Sequence, residues 1–284
     1  MNTFGNIIVR SVAFGFAYVV ATVLIRWLLN CVVGGNPIAS SQSPFLSLII
    51  VFVSGFIIAL TLGPLTEMIR ATRAKHLLIW SSIIFFNIAS VVLEGSFFAP
   101  GLLPMAQVPQ ILFQNFLLAI ISSILIIHLF SVTSEAIPQE QKPQRTFFSW
   151  TSRFLASAFS YLLFYFLFGA LNYELFTKSY YQSHGGLAVP ELKTVMAAEA
   201  IRAVLVILSI IPLLTALNGS KKKLVFISGS VLFIIGGIVP LLMQVGTLPA
   251  ALLISSGVEI FFQNFLTGAV AALMLRNYTT HLQM

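Results

Sequence analysis

Phe113-Gln114-Asn115-Phe116-Leu117 recurs as Phe262-Gln263-Asn264-Phe265-Leu266. The second copy begins 149 residues after the first, about half the chain. Each copy lies near the start of a long apolar run. Phenylalanine and leucine are abundant here and match cheaply. Glutamine and asparagine are scarce inside apolar runs, so the information lies in their paired recurrence. The phrase reads as the trace of a tandem duplication in a membrane protein.

Composition leads to the same class. The 284 residues are 58% hydrophobic and 8% charged, whereas a soluble domain carries roughly a quarter charged residues. So few charges cannot cover a water-facing surface, which leaves lipid as the solvent. In hydrocarbon every backbone N–H and C=O needs an internal partner, so the chain must form helices or a closed barrel. The apolar runs are continuous and lack the in-out alternation of barrel strands. The expected fold is an all-α integral membrane protein.

Eight spans are expected, at about 11–33, 44–68, 76–94, 111–132, 150–173, 195–217, 224–243 and 250–275. The first reads as a retained signal anchor rather than a cleaved signal peptide, because the run is long and Asn30 before Cys31 makes a poor cleavage site. The most polar stretch, 134–149, divides the chain. Residues 1–133 then form a first four-helix repeat and 150–284 a second, with Pro64 and Pro212 in corresponding places. The basic Arg73/Lys75 and Lys221-Lys222-Lys223 blocks also correspond. An even number of spans per repeat makes the repeats parallel.

Charge sets the expected orientation. With the N-terminus cytoplasmic, the inner segments hold Arg10, Arg70, Arg73, Lys75, Lys142, Arg145, Arg153, Lys221, Lys222, Lys223 and Arg276. The outer segments hold Lys178 and Lys193, and Arg26 and Arg202 remain within spans. Lysine and arginine are retained on the cytoplasmic side, so both termini are expected there. The net charge of +7 follows from this topology and is not a nucleic-acid signal.

Charged groups inside a span cost on the order of 2.5–3.5 kcal/mol, so they are the candidates for function. On this topology Arg26, Glu199, Arg202, Gln114 and Asn115 fall in the outer half, with Glu259, Gln263 and Asn264 between there and the middle. They are the expected substrate-binding residues of a polar cavity between the halves, open to the extracytoplasmic face. Arg26 and Arg202 would offer positive charge, and Glu199 and Glu259 negative charge. Each also has a packing explanation. Arg26, beside Trp27, can snorkel to the headgroups. Glu199 and Arg202, at i,i+3, can neutralise each other. The Gln-Asn pairs can hydrogen-bond between helices. Glu94 and Glu174 lie near span ends, where interfacial solvation explains them. Gly236-Gly237 with Pro240 marks either a broken helix or close helix packing.

Several chemistries lack their residues. All eight acids are glutamate, which removes aspartate-pair metal sites, and Cys31 is the lone cysteine. The four histidines form no metal-binding spacing, and no nucleophile elbow or phosphate loop occurs. Prenyl-protein-processing intramembrane proteases carry Glu-Glu-x-x-x-Arg and histidines in later spans, and Glu199-Ala200-Ile201-Arg202 does not match them. No catalytic residue, metal or cofactor is expected. A transporter or permease-like protein leads, with the bilayer and an unidentified small-molecule or lipid substrate as partners. A non-catalytic membrane subunit or assembly factor, bound to a membrane partner or to its own copies, comes second. An enzyme on a lipid-linked substrate comes third.

Overall fold

The structure, a computed structural model, describes residues 3–33, 43–130, 146–183 and 187–276. The elements run α1 (Thr3–Val33), α2 (Pro44–Met68), α3 (Arg73–Phe98), a 3-10 turn (Met105–Gln107) and α4 (Val108–Leu129). They continue with α5 (Phe147–Asn172), a π-helical turn (Tyr173–Thr177), α6 (Lys178–Ser183) and α7 (Leu192–Ala216). The last are α8 (Lys221–Phe233), a second π-helical turn (Ile234–Ile238), α9 (Val239–Met243) and α10 (Ala250–Leu275). Eight of the resulting helical stretches are long and apolar enough to cross a membrane. The chain has the build of a multi-pass membrane protein. Most of the proposed 134–149 linker lies outside the described residues, as do Lys142, Arg145, His184 and His281. Thr146 is described, and its hydroxyl caps α5 by accepting from the Ser149 amide.

One feature differs from expectation, and another decides between two readings. The fifth span does not end near Tyr173. It continues through the π turn, so that Phe147–Gln182 forms one 36-residue stretch. At 1.5 Å per residue this is about 54 Å, well beyond the roughly 30 Å hydrocarbon thickness. The stretch 174–183 contains no glycine or proline to stop it. Lys178 and Glu174, paired at 2.9 Å with i,i+4 spacing, favour its helical form. The seventh span is not broken at Gly236-Gly237 either. The chain widens into a π turn there and resumes as α9 with Pro240 in its first turn. Proline has no N–H to donate, so it fits at the start of that renewed segment.

Two junctions share one design. Pro64 lies inside α2, Ile69 closes it in an extended conformation, and Thr72 caps α3 by accepting from the Lys75 amide. Pro212, Leu217, Ser220 and the Lys223 amide occupy the same places between α7 and α8, each 148 residues on. Ile69 and Leu217 are both buried. The packing around the two junctions is less alike. In the first half α1 packs most extensively on α2, and α3 on α4. In the second half α10 packs on both α8 and α5, and the α5–α7 contact is smaller than that of α1 with α2. The main seam between the halves joins α3 to α7.

The bundle turns apolar side chains outward as well as inward, as lipid requires. Phe16, Val20, Leu24 and Trp27 on α1 and Leu155, Phe159 and Leu163 on α5 are exposed. Small residues let helices approach where they cross. A Cβ placed on Gly268 of α10 would stand 2.6 Å from the Ser228 carbonyl carbon and oxygen on α8. Only a hydrogen at that position permits the contact.

Most of the described basic side chains gather at one end of the bundle, where Arg10 meets Glu67 at 3.3 Å. There Arg153 donates to the Met274 carbonyl at 2.9 Å, and Arg276 donates to the Leu217 carbonyl. Both arginines therefore serve carbonyls near helix C-termini, which lack intrahelical donors. The opposite end holds the C-terminal parts of α3 and α5 and the N-terminal parts of α7 and α10.

Candidate functional site

The site is at that opposite end, and α7 begins it. Glu199 and Arg202 are three residues apart and so share a helix face. Both are buried, Glu199 completely. One guanidinium nitrogen, Nη1, lies 2.8 and 2.7 Å from the two Glu199 carboxylate oxygens. The same nitrogen lies 2.7 Å from Oε1 of Glu94 on α3. A single cation thus holds two carboxylates, one from its own helix and one across the seam between the halves.

The fifth span supplies the floor. Tyr161 donates its hydroxyl to Glu199 Oε2 at 3.3 Å. The guanidinium carbon sits 5.8 Å from the ring centres of both Tyr161 and Tyr165, within reach of a cation–π attraction. Burial of an ion pair is expensive unless the remaining donors and acceptors are also met. Here carboxylates and two aromatic faces surround the arginine, although its Nε remains without a partner.

Glu259 of α10 stands beside this pair. Asn172, at the end of α5, donates its amide nitrogen to Glu259 Oε2 at 2.6 Å. Gly169, one turn earlier on α5, leaves room for the carboxylate: a Cβ there would stand 3.2 Å from Glu259 Oε1. Glu94 and Arg202 are the charges that act on Glu259 from neighbouring helices. Glu94 and Glu259 are half-buried, so they form the accessible edge of a cluster whose centre is closed. Two surface clefts lie elsewhere, one along the α5–α6 extension and one between α1 and α2.

Deeper in the bundle is a neutral polar knot. Asn87 of α3 donates to Ser209 Oγ of α7 at 2.9 Å. Its Oδ1 and the Nδ2 of Asn264 both approach Gly236 in the π turn, where a Cβ would stand 2.5 and 3.3 Å from them. Asn264 donates to the Leu232 carbonyl at 3.2 Å. The widened turn is therefore a place where the backbone makes way for two amides.

The structure brings Glu199, Arg202 and Glu259 into one region. Gln263 and Asn264 are buried on the same helix as Glu259, and Gln263 Nε2 has no partner. Arg26 is elsewhere, exposed on the outer surface of α1 beside the exposed Trp27. Gln114 and Asn115 are half-buried on α4, where Asn115 donates to Ile111 of its own helix. The two copies of the repeated phrase thus meet different surroundings.

Sequence reasoning placed Glu94 at an interface and passed over Tyr161, Tyr165 and Asn172. A signal existed for the last three. Tyr161, Tyr165, Gly169 and Asn172 fall at i, i+4, i+8 and i+11, one continuous stripe on α5. Among the described residues no three His, Cys or Glu side chains are grouped to hold a metal ion. What the cluster offers is fixed charge, aromatic faces and amides, which bind and position solutes. No family model, curated protein or solved structure matches the chain.

Proposed function

We propose that the chain is a transporter or permease-like membrane protein whose solute passes the Arg202 cluster. The observation that carries this reading is the Glu94–Arg202 bridge, an ionic contact between helices of the two halves. Ionisable side chains within a membrane bundle are costly and mark solute or ion pathways. A packing role would be met by apolar residues at lower cost. Two parallel repeats, 1–133 and 150–284, would rock about the α3–α7 seam and break that bridge as access alternates. The matching Pro64–Thr72 and Pro212–Ser220 junctions support such a duplication. Both termini are then cytoplasmic, and the cluster faces the extracytoplasmic side.

Labelling tests this without knowledge of the solute. In a Cys31→Ser background, Tyr165→Cys and Ser209→Cys are probed with a membrane-impermeant maleimide on vesicles of each orientation. Transport requires both positions to react from either face. Reaction from one face alone, or from none, overturns it and favours a static membrane subunit.

A further inference from the structure

We propose that Glu259 and Asn172 form a binding site for a monovalent cation, either a proton or an alkali ion. The inference rests on the transport reading and gives the site its coupling ion. Three carboxylates (Glu94, Glu199 and Glu259) share this end of the bundle with one internal guanidinium. Arg202 already spends its Nη1 on Glu94 and Glu199. Among the described residues Glu259 makes no ion pair. Its one hydrogen bond among those residues comes from a neutral amide.

The amide supplies a second, independent sign. Asn172 is 8% exposed, and among the described residues its Oδ1 has no donor. One side of the amide holds the carboxylate, and the other presents an acceptor oxygen that nothing fills. A buried acceptor without a partner costs about 1–3 kcal/mol, so the pair is set up for a ligand that brings positive charge. Hard cations prefer carboxylate and carbonyl oxygens. One carboxylate and one amide oxygen favour a single charge over a divalent ion, which takes more oxygen ligands. Half-burial leaves Glu259 open on one side, which gives the ion an entry.

Glu94 on α3 and Arg202 on α7 act on Glu259 with opposite charge. Tyr181 of α6 faces it with a neutral phenol. Arg202 is shared between Glu94 and Glu199, so three carboxylates stand against one guanidinium and Glu259 is the one without a cation bonded to it.

The test is infrared difference spectroscopy on the full chain reconstituted in lipid, read at the protonated-carboxyl band. Sodium chloride is exchanged against choline chloride at fixed pH, and pH is then stepped without sodium. Wild type minus Glu259→Gln isolates the one carboxyl. If sodium removes the band, an alkali ion displaces a proton at Glu259. If only raised pH removes it, the ion is the proton itself. Superimposable wild-type and Glu259→Gln responses overturn the proposal. Should Glu259→Gln fail to fold, Asn172→Ala decides. It keeps the carboxyl but removes the donor that stabilises its charged form and the acceptor oxygen beside it. The titration midpoint then moves to higher pH if the ion is the proton, and sodium affinity falls if it is the alkali ion, by about tenfold or more in either case. An unchanged midpoint overturns the site. Two-sided maleimide labelling without a Glu259 response leaves transport standing and removes the cation. A Glu259 response with one-sided labelling does the reverse.

Discussion

Asn87 donates to Ser209 at 2.9 Å, seven residues along each helix from the 2.7 Å contact of Glu94 with Arg202. Seven residues are about two helical turns, and the two contacts run in opposite directions along α3 and α7. The seam between the halves is therefore an antiparallel pair in fixed register, with an ionic contact near one end and a neutral one deeper inside. That arrangement makes the seam accessible to direct tests.

Removing the cation should cost more than removing the whole charged pair. Arg202→Met leaves Glu199 buried without its counter-charge, and loss of one member of a buried pair costs about 3–5 kcal/mol. Arg202→Met combined with Glu199→Leu should recover most of that loss. Thermal unfolding in detergent reads the difference. A double variant no more stable than the single would show that the pair is not a unit.

The α3–α7 register should be trappable. Asn87→Cys with Ser209→Cys, in a Cys31→Ser background, is expected to form a disulfide under mild oxidation, because the replaced side chains already touch. The product is read as a mobility shift reversed by reductant. An Asn87→Cys/Val206→Cys pair, one turn out of register, should cross-link far less. Equal yields would contradict the seam.

Gly268 should not tolerate a larger side chain. The Ser228 backbone lies within 2.6 Å of a Cβ built there, and backbone cannot rotate away as a side chain can. Gly268→Val should lose about 1–3 kcal/mol or more through overpacking. Gly257→Ala, whose nearest neighbour is Leu241 Cδ1 at 3.6 Å, should stay near wild type. Unfolding temperatures that fall equally would remove the crossing-point argument.

Orientation is open to the same chemistry. In the Cys31→Ser background, Lys222→Cys lies at the basic end and Ser179→Cys at the other. A membrane-impermeant thiol reagent should reach Lys222→Cys only from the cytoplasmic face and Ser179→Cys only from outside. The reverse pattern would place the Arg202 cluster toward the cytoplasm.

The reach of the π turn at Gly236 can be probed by filling it. Asn87 Oδ1 stands 2.5 Å from a Cβ at that position, so Gly236→Ala must displace Asn87 and disturb its bond to Ser209. The expected outcome is a lower unfolding temperature together with reduced Asn87→Cys/Ser209→Cys cross-linking when the substitutions are combined. An unchanged cross-link would separate the turn from the seam.

The sequence by itself determined that the chain spans a membrane as helices, since continuous apolar runs with so few charges have no other stable form in lipid. It also showed how many such runs there are and that Glu199, Arg202 and Glu259 stand in the wrong solvent. Local spacing sufficed for the Glu199–Arg202 contact, because three residues on a helix return to the same face. Only the tertiary structure decided which helices share a seam. That choice brings Glu94 from an apparent headgroup position into contact with Arg202, and it leaves Arg26 on the exposed outer side of α1. It also gives Glu259 a neutral amide rather than a cation as its neighbour. Each of these follows from rotations of helices about their own axes and from pairings between distant segments. Periodicity limits them to a face but does not name the partner, because lipid tails and helix interiors are about equally apolar.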